Sequence, residues 1–90
     1  MVKMDYDKDS EILKALGHSI RLKMVEGLMN GNECNVNKIV DNLQIPQSTV
    51  SQHLKVLKTS GIIACRKEGV RTCYRVIDKR VMNIMEILKR

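Results

Sequence analysis

Residues 45–61, IPQSTVSQHLKVLKTSG, constrain the fold more strongly than any other segment. Pro46 disfavours helical geometry at Ile45 but fits the first turn of a new helix, and Gly61 is suited to end that helix. We therefore predict a helix from about residue 47 to residue 60. At about 100° per residue, three apolar side chains point together and form a buried seam: Val50, Leu54 and Leu57.

The side of this helix away from the seam carries hydroxyl and amide groups, where a surface helix usually has Glu, Lys or Ala. The side chains on this side and at the first turn are Gln47, Ser48, Thr49, Ser51, Gln52, Lys55 and Thr59. These donors and acceptors suit base edges and phosphate oxygens in a groove wide enough for a helix. Capping of the helix start is an alternative role for Ser48 and Thr49. His53 lies beside the seam, so we predict that it is a hydrogen-bonded packing residue, with a DNA contact as the alternative role.

Three helices are predicted before this segment. The first helix is assigned to the segment 9–17, in which Asp9 and Ser10 precede the apolar spacing of EILKALG and Gly17 ends the helix. Ser19 is the predicted cap of the second helix, which Gly31 closes, and Asn35 is the predicted cap of a short third helix. Apolar residues at helical spacing support each of the three.

After Gly61 the hydrophobic period changes. The sequence IIACRKEGVRTCYRVI is rich in β-branched residues and has one central glycine, which predicts two short antiparallel strands. Helical spacing returns at Asp78 and continues through residues 78–90. The predicted order is helix, helix, helix, turn, helix, hairpin, helix, which describes a winged helix-turn-helix, mainly α with a small β-hairpin.

The 90 residues are predicted to form a single domain, 1–90, with residues 1–8 flexible. The longest apolar runs are too short to cross a bilayer, and the N-terminus lacks a secretory signal pattern. We therefore expect a cytoplasmic protein that does not bind a membrane.

The net charge of +6 is concentrated in one third of the chain. Residues 1–50 have six Lys or Arg against seven Asp or Glu, whereas residues 51–80 have eight against two. Such clustering is typical of a surface that binds a polyanion, although a solvated basic face is the simpler alternative.

Three segments resemble the ArsR-type (ArsR/SmtB) bacterial repressors: STVSQHLKVLKTSGII, the preceding IRLKMVEGL and the hairpin RKEGVRTCYRV. The resemblance covers about residues 10–88 and implies a small dimeric repressor that releases operator DNA when it binds a metal or another signal. Base or groove contacts carry over from the family's pattern to Gln47, Ser48, Ser51 and Gln52. Thr49 and Lys55, from the same side of the helix, complete the six residues of this helix that we predict to contact DNA.

The charged hairpin has a separate predicted role. Arg66, Lys67 and Arg71 lie on either side of the turn at Gly69, where long cationic side chains can reach phosphates or the minor groove. We therefore add these three residues to the predicted DNA-binding set.

The familiar metal sites of the family are absent from the sequence. Many metal-responsive members carry a Cys-x-Cys pair before the recognition helix, but here Asn35 and Asn37 stand at those positions and Cys34 is out of register. The last helix has no His, and His18 and His53 show no ligand spacing. We predict neither a metal site nor a cofactor.

Each of the three cysteines is expected to be a free thiol. Cys34 lies near a helix N-terminus, where a thiol is more reactive, and it is the candidate for a redox-responsive or sulfur-responsive switch. Cys65 and Cys73 face each other only across a three-residue loop. Strand alternation favours a two-residue loop, so we predict no disulfide between them.

The terminal helices, residues 9–17 and 78–90, are predicted to form a homodimer. Their apolar surface is larger than one small domain needs to bury: Ile12, Leu13, Leu16, Val81, Ile84, Met85 and Leu88. A two-fold pair sets two recognition helices about one DNA turn apart and predicts an inverted-repeat operator in double-stranded DNA. Completion of the monomer core is the alternative role for both helices.

Other classes of function fit the sequence less well. We predict that the chain is not an enzyme, since it has no nucleophile and base at recognised spacing and no phosphate loop. A winged-helix module for protein interaction, or an RNA binder, is the more serious rival. RNA binders usually supply stacking aromatics, and this chain has only Tyr6 and Tyr74.

Overall fold

A computed structural model describes residues 3–90. Its elements are α1 (Tyr6–Leu16), α2 (Ser19–Met29), α3 (Val36–Val40), a 3-10 turn (Asp41–Leu43), α4 (Gln47–Thr59), β1 (Ile63–Glu68), β2 (Arg71–Val76) and α5 (Lys79–Leu88). The predicted order of helices and hairpin is confirmed. The flexible end that we predicted at residues 1–8 lies partly outside the described residues, which exclude residues 1 and 2.

The first helix begins earlier than we predicted. Asp5 caps it by accepting a hydrogen bond from the Lys8 amide at 3.1 Å, and the acidic side chains of Asp7 and Asp9 follow in the first turn. Residues 6–8 therefore belong to α1. The apolar pattern begins only at Ile12, so the exposed first turn gave no periodic signal and the cap alone determines the start.

The predicted cap of α2 is also wrong by one residue. His18, and not Ser19, is the N-cap, and its Nδ1 accepts a hydrogen bond from the Ile20 amide at 3.2 Å. Asn35 stands at the predicted cap position of α3 but makes no side-chain capping bond. An imidazole cap is uncommon, which explains why the sequence pattern favoured the serine.

The core has α2 at its centre and draws on every helix and both strands. Met24 and Val25 of α2, with Leu57 of α4, are completely buried. Gly27 permits the close approach of α3 to α2, since a Cβ there would lie 2.6 Å from Cδ1 of Ile39. The seam predicted for α4 is confirmed, because Val50, Leu54 and Leu57 are all buried.

The hairpin, residues 63–76, is called the wing below. Glu68 pairs with Arg71, so the connection is a two-residue turn in which Gly69 has a φ of +63°. A positive φ at the first central residue is easily adopted by glycine and suits a tight hairpin. The register sets Cys65 opposite Tyr74 and Cys73 opposite Arg66, which confirms the two-residue loop that we predicted.

The expectation of three free thiols is wrong. Cys34 and Cys73 form a disulfide, whereas Cys65 is free and exposed. The loop between α2 and α3 packs against β2, where the Tyr74 amide donates to the Glu33 carbonyl at 2.7 Å. The disulfide joins residues that are 39 positions apart in the chain, so no local pattern could have predicted the pairing. The absence of a bond between Cys65 and Cys73 agrees with our prediction.

The last helix is tied to α1 at its start. Asp78 caps α5 by accepting from the Arg80 amide at 2.8 Å, and the Arg80 guanidinium donates to Asp9 at 2.9 Å. Burial raises the pKa of Asp78, but hydrogen bonds from the Arg80 side chain and from the Arg80 and Val81 amides outweigh it and lower the pKa overall. Arg80, a cation of the basic third of the chain, is therefore held in a contact between helices.

Candidate nucleic-acid interface

The polar face of α4 comprises the six residues of this helix that we predicted to contact DNA: Gln47, Ser48, Thr49, Ser51, Gln52 and Lys55. Five of these side chains are exposed and Thr49 is half-buried. The arrangement follows from the buried seam, because a helix that fixes one side in the core must turn the opposite side outward.

The N-terminus of α4 has no side-chain cap. The N-cap residue is Pro46, in extended geometry. The turn before it contains Gln44 in the left-handed region with a φ of 52°, which redirects the chain between the 3-10 turn and α4. The capping role that we kept as an alternative for Ser48 and Thr49 is therefore wrong. The Thr49 amide donates to the Pro46 carbonyl at 3.0 Å, and the amides of Gln47 and Ser48 remain available to an anion.

A partly buried cluster of polar side chains joins α4 to α1 and α2. The Arg21 guanidinium donates to the Ala15 carbonyl at 2.6 Å and lies 3.2 Å from Nδ1 of His53. The rings of His18 and His53 are 4.6 Å apart. Because a guanidinium only donates, Nδ1 of His53 is the acceptor and the ring is neutral. The predicted packing role of His53 is confirmed, whereas nothing in the sequence pattern pointed to Arg21.

Acid is expected to destabilise the protein through His53. Burial, with the nearby charges of His18 and Arg21, lowers the pKa of His53 from its ordinary value of 6.5. Below about pH 6.5 the unfolded chain then binds more protons than the folded one, so stability falls as the pH drops through the folded pKa. We expect the urea midpoint to decrease between about pH 7 and about pH 5, and His53→Gln to reduce that decrease. An equal decrease in both proteins would contradict this role of His53.

The three cations predicted for the wing differ in whether they form ion pairs. Lys67 and Arg71 are exposed and pair with no carboxylate within residues 3–90. Arg66, by contrast, lies 2.7 Å from Glu68 and 3.9 Å from Glu33. Strand alternation also sets Lys67 on the opposite face from Arg66 and Arg71. The sequence shows that the wing carries these three cations, but it does not show which of them form ion pairs with acidic side chains.

A cleft of about 310 Å³ lies between α4, the start of α3 and the wing. Its lining includes Gln47 and Ser51 from α4, Arg71 and Thr72 from the wing, and Cys34. Gln52 and Lys55 line a different groove, between α4 and α1. The structure thus brings Arg71 together with the first turns of α4, and it adds Thr72, which we did not predict.

One group of three side chains with metal-ligand chemistry lies close together within residues 3–90: Cys34, Glu68 and Cys73, whose ligand atoms are all within 4.8 Å of one another. Both sulfurs are joined in the disulfide, and a thiolate is the form that binds a metal. In this state the group does not offer a metal site. None of the described helices has both the length and the apolar character needed to span a bilayer.

Comparison with known proteins identifies the fold. A model of the arsR family of bacterial regulatory proteins matches residues 18–64. The crystal structure of the transcriptional repressor PagR of Bacillus anthracis has a TM-score of 0.79 and 34% identity, covering 94% of this chain and 97% of that one. The homodimeric winged helix-turn-helix DNA-binding domain of Mb0332 from Mycobacterium bovis has a TM-score of 0.79 and 27% identity, covering 97% and 84%.

A sequence relative covers almost the full length of both chains. The uncharacterized HTH-type transcriptional regulator MJ1325 of Methanocaldococcus jannaschii is 44% identical over 84 residues, which are 92% of this chain and 93% of that protein. These matches confirm the winged helix-turn-helix fold, and the regulator names confirm that the chain is not an enzyme. The chain belongs to the arsR family of bacterial regulatory proteins, and it is a transcriptional regulator with a winged helix-turn-helix.

Proposed function

We propose that this regulator is a repressor that binds an inverted-repeat operator as a homodimer, with the polar face of α4 in the major groove. The observation that carries the proposal is the outward direction of this face, where five of six side chains are exposed. The proposal sets the protein in the cytoplasm, where operator DNA is found.

Base reading is assigned to the first turns of α4. Ser48, Ser51 and Gln52 offer hydroxyl and amide groups that donate and accept, which suits base edges in the major groove. Gln47 stands beside the open helix start, where amides can bind a phosphate while side chains read bases. Lys55 is one turn further along and is assigned to a backbone phosphate, with Thr49 as a smaller contact because it is half-buried.

The wing supplies phosphate contacts beside the recognition site. Lys67 and Arg71 are exposed cations without acidic partners among the described residues, so they approach a phosphate without first breaking an ion pair. Arg66 must exchange Glu68 and Glu33 for a phosphate, so its contribution is smaller. Since Lys67 and Arg71 lie on opposite faces of the wing, they contact different phosphates.

The dimer surface is narrower than the apolar pattern of the sequence implied. Four of the seven residues predicted for it are in the monomer core: Ile12, Leu16, Val81 and Met85. Leu13 of α1 remains 59% exposed, and Ile87 and Leu88 of α5 remain about as exposed, at 60% and 62%. Apolar side chains this exposed on two neighbouring helices favour burial against a second copy.

The exposed apolar stripes consist of Leu13 on α1 and of Ile87 and Leu88 on α5. An ion pair connects the two helices: it joins Asp9, one turn before Leu13, to Arg80 near the start of α5. The homodimeric Mb0332 domain supports the same assembly here, and two-fold symmetry then requires two half-sites about one DNA turn apart.

The salt dependence of binding tests this function. We expect affinity for mixed-sequence duplex DNA to fall steeply with added salt, because each phosphate contact releases counterions. Lys67→Ala and Arg71→Ala should each reduce the slope of log K against log salt by about 0.9 for every contact removed. Lys23→Ala is the matched control, since Lys23 is exposed on α2 and lines neither the cleft at Arg71 nor the groove at Gln52.

Two rival functions give different results in that experiment. A protein-interaction module would show no measurable duplex binding even at low salt. An RNA binder would prefer single-stranded RNA to the duplex under the same conditions. Either outcome would contradict the proposed function, whereas unchanged slopes in both wing variants would remove only the wing from it.

A further inference from the structure

The disulfide joins two segments that build the candidate interface. Cys34 precedes the first residue of α3 by two positions, and Cys73 lies in the second strand of the wing. Between them in sequence lie α3, the whole of α4 and the first wing strand. The bond therefore closes the chain around the helix that carries the polar face.

Two polar contacts besides the disulfide join the α2–α3 loop to the wing within residues 3–90. The Tyr74 amide donates to the Glu33 carbonyl at 2.7 Å, and the Arg66 guanidinium lies 3.9 Å from the Glu33 carboxylate. The ion pair is partly exposed and its separation is long, so solvent screens it and its contribution is small. The disulfide is the strongest link between the loop and the wing.

The bond also lies beside the residues that we assign to DNA. Cys34 lines the same cleft as Gln47 and Ser51 of α4 and Arg71 and Thr72 of the wing. A change in the distance between the loop and the wing would alter this cleft directly. The bond thus sets the position of Arg71 relative to the first turns of α4.

We propose that Cys34 and Cys73 form a thiol–disulfide exchange site for a dithiol reductant, and that the disulfide form holds the wing in the DNA-binding position. This inference rests on the proposed function and adds the signal that controls it. Reduction removes the link between the α2–α3 loop and the wing. Arg71 then loses its fixed position beside Gln47 and Ser51, and affinity for the operator decreases.

The accessibility of the two sulfurs determines which one the reductant attacks. Cys34 is half-buried and Cys73 is completely buried, so a thiolate of the reductant attacks Sγ of Cys34. The S–S bond breaks, and Cys73 leaves as a thiolate that takes a proton. In the mixed disulfide, one sulfur of the reductant is bonded to Sγ of Cys34. The second thiol of the reductant then attacks that reductant sulfur and releases Cys34 as a thiolate, which is also protonated. The products are two protein thiols and the oxidised, cyclic reductant.

The third cysteine provides an internal control. Cys65 is exposed and lies on the opposite face of the wing from Cys73, because it pairs with Tyr74 whereas Cys73 pairs with Arg66. A thiol effect that is general to the protein would involve Cys65, whereas the proposed site would not. Cys65→Ser should therefore keep the complete redox response.

The test measures DNA binding in both redox states. Full-length protein is equilibrated with oxidised or reduced dithiothreitol, and its affinity is measured for an operator duplex selected from a random library by the oxidised protein. Peptide mass mapping of the same samples should show the crosslink between Cys34 and Cys73 only in the oxidised state. We expect the reduced protein to bind about tenfold more weakly, a common size for coupling between two sites.

Variants and spectra complete the test. Cys34→Ser should bind like the reduced protein in both buffers, and circular dichroism should show that helix content is retained. Equal affinity in both redox states would overturn the inference, because the bond would then serve only as a structural link. Loss of helix content on reduction would also overturn the inference, because the bond would then be needed for the fold and would not act as a switch. Failure of both states to bind any duplex would overturn the proposed function as well.

Discussion

Replacing Ser51 and Gln52 together with alanine is expected to weaken operator binding by about 1,000-fold, because a dimer loses four base contacts and each contributes about 1 kcal/mol at the low end of its usual range. Both side chains are exposed, so the fold should be unaffected. Gel-shift titration of the selected operator measures the loss.

The same double variant should retain its weak affinity for unrelated duplex DNA. Phosphate contacts from Lys55 and the wing supply that binding, and they carry no sequence information. Ser10→Ala is the control, since it removes an exposed hydroxyl from α1, away from the polar face. Operator affinity within about twofold of the unaltered protein would contradict the assignment of α4 as the reading element.

Disrupting the proposed dimer is expected to have a similarly large effect. Leu13→Glu combined with Leu88→Glu places charges on the two exposed apolar stripes and should yield a monomer in sedimentation equilibrium. A monomer binds one half-site at a time and loses the effective concentration of a linked pair, so operator affinity should fall by about 10²-fold to 10⁴-fold. Thermal unfolding should change little, because both leucines are about 60% exposed in the protomer.

The control for the dimer experiment is Val70→Glu at the tip of the wing. This substitution also introduces a charge at an exposed apolar residue, but Val70 lies in the turn between β1 and β2 and not on α1 or α5. It should leave the oligomeric state unchanged. A dimer that persists in the Leu13 and Leu88 double variant would show that another surface joins the protomers.

Local signals predicted the elements of the interface well. The buried seam of α4 follows from the spacing of Val50, Leu54 and Leu57, and the exposure of Ser48 and Gln52 follows from the same helical period. In the wing, strand alternation and the central glycine predicted the two-residue turn. Each of these features depends on neighbours a few residues away, which a sequence pattern can represent.

Local caps at Asp5 and His18 explain the shifted starts of α1 and α2, whereas contacts between distant segments account for the other errors. His18 serves as a cap, and its ring also lies 4.6 Å from the ring of His53, which belongs to a different helix. The partners of Arg66 include Glu33 from the loop before α3. Whether Ile12 and Val81 face the core or a second copy depends on how α1 and α5 pack, and both are buried within the protomer. The periodicity that marks an apolar face is the same in either case.

The sequence by itself determined the order of the elements, the outward polar face of α4 and the concentration of positive charge after residue 50, because helical and strand periods and turn residues act over short distances. Only the tertiary structure decided which cations are free, which apolar residues remain exposed, and that Cys34 bonds to Cys73 rather than remaining a free thiol. Those outcomes depend on the packing of the α2–α3 loop against the wing and of α1 against α5, where residues far apart in the chain come into contact.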